Sequence, residues 1–184
     1  MAEMKAARIL PARASAMGWR TLDPQSCWSL RVNLRAAAGP MSAAELSLAI
    51  DACRAVTRGE WTALWLGPDE QLLAGPDAAH AQLAPRLAAA LAGITHSLVD
   101  VSHRQAAIEL SGPGATRLLA MACPLDFDSA QMPVGFCSRT VYAKAEVVLW
   151  RQETERFQMQ TWRSFLPYVT GLLAIGSQEL ATEG

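Results

Sequence analysis

Val99-Asp-Val-Ser-His-Arg104, then Gln105-Ala-Ala-Ile-Glu-Leu-Ser111, then Gly112-Pro-Gly-Ala-Thr-Arg-Leu-Leu119 is the stretch that decides the reading of this chain. It reads as two strands meeting at Ser102 to Arg104, followed by a helix that the Gly112 to Gly114 segment starts. In the second strand Ala106, Ile108 and Leu110 alternate with Gln105, Ala107 and Glu109, so one face is apolar and the other mainly polar. An apolar face needs a partner layer. Pro113 suits a first helical position, and Ala115, Leu118, Leu119 and Ala122 follow at helical spacing, so the helix is expected to fold back over the strands.

Upstream, Trp28, Leu30, Val32 and Leu34 alternate with Ser29, Arg31, Asn33 and Arg35, the pattern of a half-buried strand over 26–35. Ala36 to Pro40 reads as a linker. Ser42-Ala-Ala-Glu45 has the spacing of a capping box, which predicts a helix to about Val56 with Leu46, Ile50 and Cys53 on one face. Trp61 to Leu66 is apolar on both faces and reads as an interior strand. Gly67-Pro-Asp-Glu70 is a turn by composition, and Gln71 to Ala74 returns as a short strand. Asp77 is placed to cap a helix carrying Leu83, Leu87 and Leu91 in one phase; Pro85 predicts a kink or break in it, and Gly93 its end.

Downstream, Cys123 to Pro133 is a turn-rich connection that could hold a short helical turn. Strands fit Phe136 to Tyr142, Ala145 to Arg151 and Glu155 to Trp162. Ser164 can cap a last helix with Leu166, Val169, Leu172 and Leu173 inward, Gly176 is expected to stop it, and residues 177–184 read as a loose acidic tail. Strands come in adjacent pairs between helices. That favours an α+β fold with a largely antiparallel sheet and helices packed on it, formed by residues 25–176.

Composition narrows the function. A formal net charge of −1 gives no global attraction to nucleic acid or to an anionic membrane, and no apolar run approaches the ~18 residues of a membrane span. Residues 1–24 carry Lys5, Arg8, Arg13 and Arg20 without the apolar core of a secretory signal. They read as a basic, extended arm, although an Arg-rich, acid-poor transit peptide has the same composition. Cys27, Cys53, Cys123 and Cys137 form no Cys-x-x-Cys pair, which suggests a reducing compartment and neither a disulfide framework nor a zinc site. Six tryptophans, a residue concentrated in cores and interfaces, leave open how many belong to each.

The reactive residues converge weakly. His96, Asp100 and His103 cannot all share one face of a regular strand, because His103 lies an odd number of residues from His96. His103 and Arg104 at the strand junction could meet an anion or a partner carboxylate, since Arg offers a planar fork. Ser111-Gly-Pro-Gly114 lacks the dinucleotide fingerprint and the P-loop Lys, so it reads as a helix start. Ser102 beside His103 has no third group to complete a nucleophile.

The run from Val99 to Ala115 resembles the gamma subunit of heterotetrameric sarcosine oxidase and, more distantly, the folate-binding domain of the glycine cleavage T protein, an aminomethyltransferase. Trp65-Leu-Gly-Pro-Asp-Glu70, Cys123-Pro-Leu-Asp-Phe-Asp128, Ala145-Glu-Val-Val-Leu-Trp-Arg151 and Arg163-Ser-Phe165 extend the likeness over roughly Glu60 to Ile175. Trp65, Gly67, Asp69, Asp100, Ser102, His103, Arg104, Gly112 and Ser164 are the matching positions, and Trp65, Asp69, His103, Arg104 and Ser164 are the candidate binding or partner-contact residues. The resemblance implies an α+β domain like the T protein's and a noncatalytic, cytoplasmic assembly subunit. Its partners would be alpha, beta and delta subunits that hold FAD, covalent FMN and NAD. The whole complex would demethylate sarcosine or a similar N-methyl amino acid, with tetrahydrofolate accepting the one-carbon unit. This chain itself would bind no cofactor or metal. The alternative is a stand-alone folate-binding or aminomethyl-transfer protein. Against it, the hairpin Thr140-Val-Tyr-Ala-Lys-Ala-Glu-Val147 lacks the paired acidic residues of the folate site, and the chain is too short for the enzymes' further domains.

Overall fold

The computed structural model describes residues 18–182. Two five-stranded antiparallel sheets stack face to face. The N-sheet has the order β3 (Ala55–Arg58), β4 (Trp61–Trp65), β5 (Glu70–Pro76), β2 (Gln25–Val32), β6 (His96–Asp100). The C-sheet has the order β1 (Gly18–Thr21), β7 (Gln105–Ser111), β10 (Arg156–Trp162), β9 (Ala145–Glu153), β8 (Cys137–Tyr142). Helices α1 (Leu34–Ala43) and α2 (His80–Ala90) cover the outer face of the N-sheet, and α3 (Ala115–Ala120) and α4 (Leu166–Thr182) cover that of the C-sheet. The layers are helix, sheet, sheet, helix: the fold is α+β and antiparallel as expected, with two sheets where the sequence suggested one.

The alternation in the deciding stretch explains one half of this. Ile108 and Leu110 of β7 join Ala115, Leu118 and Leu119 of α3, with Phe157, Met159, Val169 and Leu173, in one buried cluster. Burying such side chains stabilises by roughly 1.5–3 kcal/mol each. On the other half, Trp28, Leu30 and Val32 of β2 pack against Leu34, Ala37, Met41, Leu83, Leu87 and Leu91. Cys27, Leu64, Leu72, Ala74, Val101, Cys137 and Val148 fill the space between the sheets.

The two strands of the deciding stretch do not pair with each other. β6 pairs with β2, whereas β7 lies between β1 and β10. Val101 is buried between the sheets and its N–H donates to Cys27 O (2.9 Å), so the turn after it hands the chain from one sheet to the other. At the opposite side the sheets are stitched by Ala55 N–H to Gly135 O (2.8 Å) and Cys137 N–H to Cys53 O (2.9 Å) around an Arg54–Phe136 bridge.

Several expectations are overturned. Residues 36–40 belong to α1 and are not a linker, because Asn33 caps that helix by accepting from Ala36 N–H (3.1 Å). Pro40 is tolerated inside it; the carbonyl it leaves free belongs to the exposed Ala36. The helix expected over 42–56 is absent: Ser42 and Glu45 stand at the end of α1, Glu45 takes φ +58, and both backbone groups of Ala49 bond to the buried Gln71 side chain instead of to a helix turn. Cys53 has φ +56 and β3 follows. Asp77 lies in a 3-10 turn (Asp77–Ala79) with no side-chain cap, and α2 runs unbroken through Pro85.

Gly176, too, does not stop α4, which continues to Thr182, so residues 177–182 are helical. Gly176 is there for closeness: an added Cβ would stand 2.7 Å from Leu118 Cδ1 and 3.0 Å from Met121 Sδ. Of the arm expected over 1–24, residues 1–17 lie outside the described residues and Gly18–Thr21 form β1, with Arg20 paired to Glu109 (2.9 Å). Residues 123–133 hold no helix, only a hydrogen-bonded turn in which Asp128 O accepts from Gln131 N–H (3.1 Å) and Met132 N–H (2.8 Å).

Candidate functional site

The five candidate residues fall in two places. Trp65, at the end of β4, and Asp69, in the turn before β5, line an open cleft of about 860 Å³ at one end of the N-sheet, with Arg31, Arg35, Ile50 and His96. Arg31 reaches Asp69 (3.4 Å) and Glu70 (2.7 Å). Glu70 also accepts from Arg139 of β8 (2.6 Å), so one carboxylate with 12% of its side chain exposed ties both sheets together. The charges of Arg31, Asp69 and Glu70 are thus spent on holding the cleft's own walls.

His103, Arg104 and Ser164 gather at the other place, the corner where the chain changes sheets. Ser164 is exposed in a 3-10 turn (Arg163–Phe165) that carries no side-chain cap and leads into α4. Arg163 closes the corner, its N–H donating to Arg104 O (2.7 Å) and its Nε to His103 O (3.0 Å). The Arg104 guanidinium lies 5.5 Å from the centre of the Trp162 ring, which in turn meets Phe165 at 6.0 Å. Arg163 lies in the matching run Arg163-Ser-Phe165 and Trp162 at the end of a predicted strand, but only the packing of β10 beside β7 brings them to this corner.

Asp100 finds a partner that nothing in the sequence announces. His80, at the start of α2, places Nε2 3.4 Å from Asp100 Oδ2 and Nδ1 2.8 Å from Ser26 Oγ, and stacks on Trp28 at 5.2 Å. The array Ser26–His80–Asp100 has the residue types of a hydrolase triad but not its chemistry. Ser26 is completely buried and its oxygen accepts from Trp28 Nε1 (3.1 Å), so no substrate reaches it. Ser102 is equally committed, donating to Asp100 Oδ1 (2.6 Å) and accepting from Cys27 N–H (2.9 Å). Burial raises the Asp100 pKa, but the two hydrogen bonds from Ser102 and the neighbouring His80 and His103 outweigh it and hold the carboxyl below its ordinary value. His96 turns instead to Ile94 O (2.7 Å).

Other reactive residues are inert by position. Burial pushes the Cys27 and Cys137 thiols up to about 12, far from the thiolate range. Among the described residues no group of His, Cys, Asp and Glu is arranged to hold a metal ion. Gly112, at φ +96, turns the chain toward α3 in a hollow also lined by Glu153, Glu155 and Arg156, whose guanidinium is already paired with Glu109 (2.9 Å) and Glu153 (3.1 Å). No helix among the described residues is long and apolar enough to cross a membrane.

The family model "Sarcosine oxidase, gamma subunit family" matches residues 33–179. The sarcosine oxidase subunit gamma of Corynebacterium sp. (strain P-1) is 34% identical over 120 residues, 65% of this chain and 58% of that protein. That of Arthrobacter sp. is 40% identical over 88 residues, 48% of this chain and 42% of that protein. These alignments therefore span about half the length of those two relatives. That of Corynebacterium sp. (strain U-96) is 27% identical over 98% of this chain and 87% of its own length. In three dimensions the chain superposes on heterotetrameric sarcosine oxidase from Corynebacterium sp. U-96 in complex with pyrrole 2-carboxylate. The TM-score is 0.81 at 26% identity, covering 91% of this chain and 87% of that one. The aminomethyltransferase T of the Bartonella henselae glycine cleavage system gives 0.64 at 13% identity, over 86% of this chain and 45% of that one, a likeness of fold alone. A fold whose helix, sheet, sheet, helix layers match in one piece, and a sequence match from Asn33 to Glu179, lead to one conclusion: this chain belongs to the sarcosine oxidase gamma subunit family.

Proposed function

We propose that this chain is a noncatalytic assembly subunit of a heterotetrameric sarcosine oxidase-type flavoenzyme. The complex oxidatively demethylates sarcosine or a similar N-methyl amino acid in the cytoplasm. The observation that carries the reading is the superposition on the heterotetrameric oxidase over nearly the whole of both chains. FAD, FMN and NAD reside on the alpha, beta and delta partners, and no step of their chemistry runs through this chain.

The residues present suit that division of labour. The space between the sheets is closed by Cys27, Leu64, Leu72 and Val148, which leaves tetrahydrofolate no bed there. In the β8–β9 hairpin, Glu146 is the one acidic residue of 140–147, and it stands 4.0 Å from Arg139, which Glu70 already engages. The glycine turn at Gly112, bordered by Glu153 and Glu155, does not fit a dinucleotide phosphate. Exposed Val99, Trp162, Tyr168 and Ile175 offer instead the apolar surface that obligate partners bury, typically roughly 2,000 Å² or more per interface. Buried free thiols fit a reducing compartment.

Coexpression with the presumed large subunits is the test. The chain is expected to copurify in a yellow complex and to be colourless and poorly soluble alone. A monodisperse lone chain that binds tetrahydrofolate tightly, and ignores the large subunits, overturns the reading in favour of a stand-alone folate protein.

A further inference from the structure

Tryptophan placement singles out one surface. Trp28 and Trp61 are core residues, and Trp19, Trp65 and Trp150 pack against the three buried clusters. Trp162 belongs to none of them and is 39% exposed; Tyr168, in the first turn of α4, is 40% exposed. Large aromatic rings left in water on a chain that had cores available are the composition of an interface centre.

The charge beside them is unspent. Arg20, Arg31, Arg139 and Arg156 each have a carboxylate within 4.0 Å. Arg104 and Arg163 have none among the described residues. Arg104 lies over the Trp162 ring, and Arg163 donates only to backbone, at His103 O and Arg104 O. Asp100, four residues before Arg104 in the chain, already accepts from Ser102 and faces His80. The first turn of α4 contains no acidic residue. The corner is also rigid, because the Arg163 bonds fix it to the turn between β6 and β7, so little ordering cost attends its use.

We propose that Arg104, Trp162, Arg163 and Tyr168 form a docking surface for an acidic segment of a partner subunit, one carrying carboxylates beside apolar side chains. The carboxylates take the outward guanidinium forks in bidentate geometry while the apolar groups cover the two rings. A polyanion such as nucleic acid is disfavoured by the chain's net charge of −1. This inference rests on the subunit reading above and adds the place and chemistry of contact.

The test uses the coexpressed complex and the dissociation constant of full-length chain for the large subunits at low and high salt. The double variant R104E/R163E and the single variant W162A are each expected to weaken assembly at least tenfold. The wild type is expected to lose affinity with salt, and R104E/R163E to lose that dependence. R58E, in β3 at the opposite edge of the N-sheet from β6, is expected to stay within twofold. Circular dichroism checks folding, and the conservative variants R104K/R163K and W162F report on the corner if the first set fails to fold. Corner variants that assemble as tightly as wild type, with unchanged salt dependence, overturn the proposal and leave the subunit reading standing. A wild-type chain that never copurifies sinks that reading itself.

Discussion

Glu70 shows what a single side chain contributes here. It comes from a turn whose composition was legible, Gly67-Pro-Asp-Glu70, but its role depends on Arg31 in its own sheet and Arg139 in the other. Glu70→Gln is expected to cost about 1–2 kcal/mol, since the carboxylate is mostly shielded while its arginine partners are partly solvated. Urea unfolding of the two proteins measures it. Asp100 makes a pH prediction. Its folded pKa is depressed, so its contribution to stability is complete above the unfolded carboxyl value and is lost as pH falls through the folded one. Asp100→Asn is therefore expected to destabilise at neutral pH and to flatten the acid limb of a plot of Tm against pH. An acid limb identical to wild type contradicts the assignment. His80 could not be paired with Asp100 from sequence, because neither sheet order nor helix placement is local information.

At the level of elements, glycine does two different jobs that look alike in a sequence. Gly93, at φ +77, ends the α2 region as expected, whereas Gly176 sits inside α4 so that α3 can approach. Gly176→Ala is expected to cost about 1–3 kcal/mol by overpacking, where an alanine at an ordinary exposed helix site would stabilise. Thermal melts of the variant decide between these signs. Gly75 of β5 is a harder case: an added Cβ would meet the Trp61 ring at 2.5 Å, and its alanine variant is expected to lose at least as much. The elements read correctly were those with long apolar alternation or a clear phase, such as β2, β4, β7 to β10 and the buried row Leu83, Leu87, Leu91. The capping-box spacing at Ser42 misled because Asn33, nine residues before it, already starts a helix that ends at Ala43, and the stretch after it is held by Gln71.

For the whole molecule, the two sheets share a small apolar layer and a polar strip in which Gln25 accepts from Gln158 (3.0 Å) and Gln160 (2.8 Å). Because β1 pairs with β7 while all five strands of the N-sheet lie between them in the chain, the C-sheet closes only from segments on both sides of the N-sheet, and the two sheets share a buried layer. Tryptophan fluorescence and far-ultraviolet circular dichroism are therefore expected to report one coincident unfolding transition. Two separated transitions would mean that the layers are independent bodies. A shared core also fixes the position of the cleft at Trp65 and Asp69 relative to the corner at His103 and Arg104.

The sequence by itself determined which segments alternate, where most strands and helices run, that the fold is α+β and antiparallel, and which family the chain resembles. These depend on neighbours within a few residues, where hydrophobic period and turn chemistry act. Only the tertiary structure decided that β6 and β7 part company at Ser102, that His80 meets Asp100, that Gly176 admits α3, and that Trp162 is left in water beside two unpaired arginines. Those outcomes follow from which buried faces find each other across the whole chain, a competition among distant surfaces that no local pattern records.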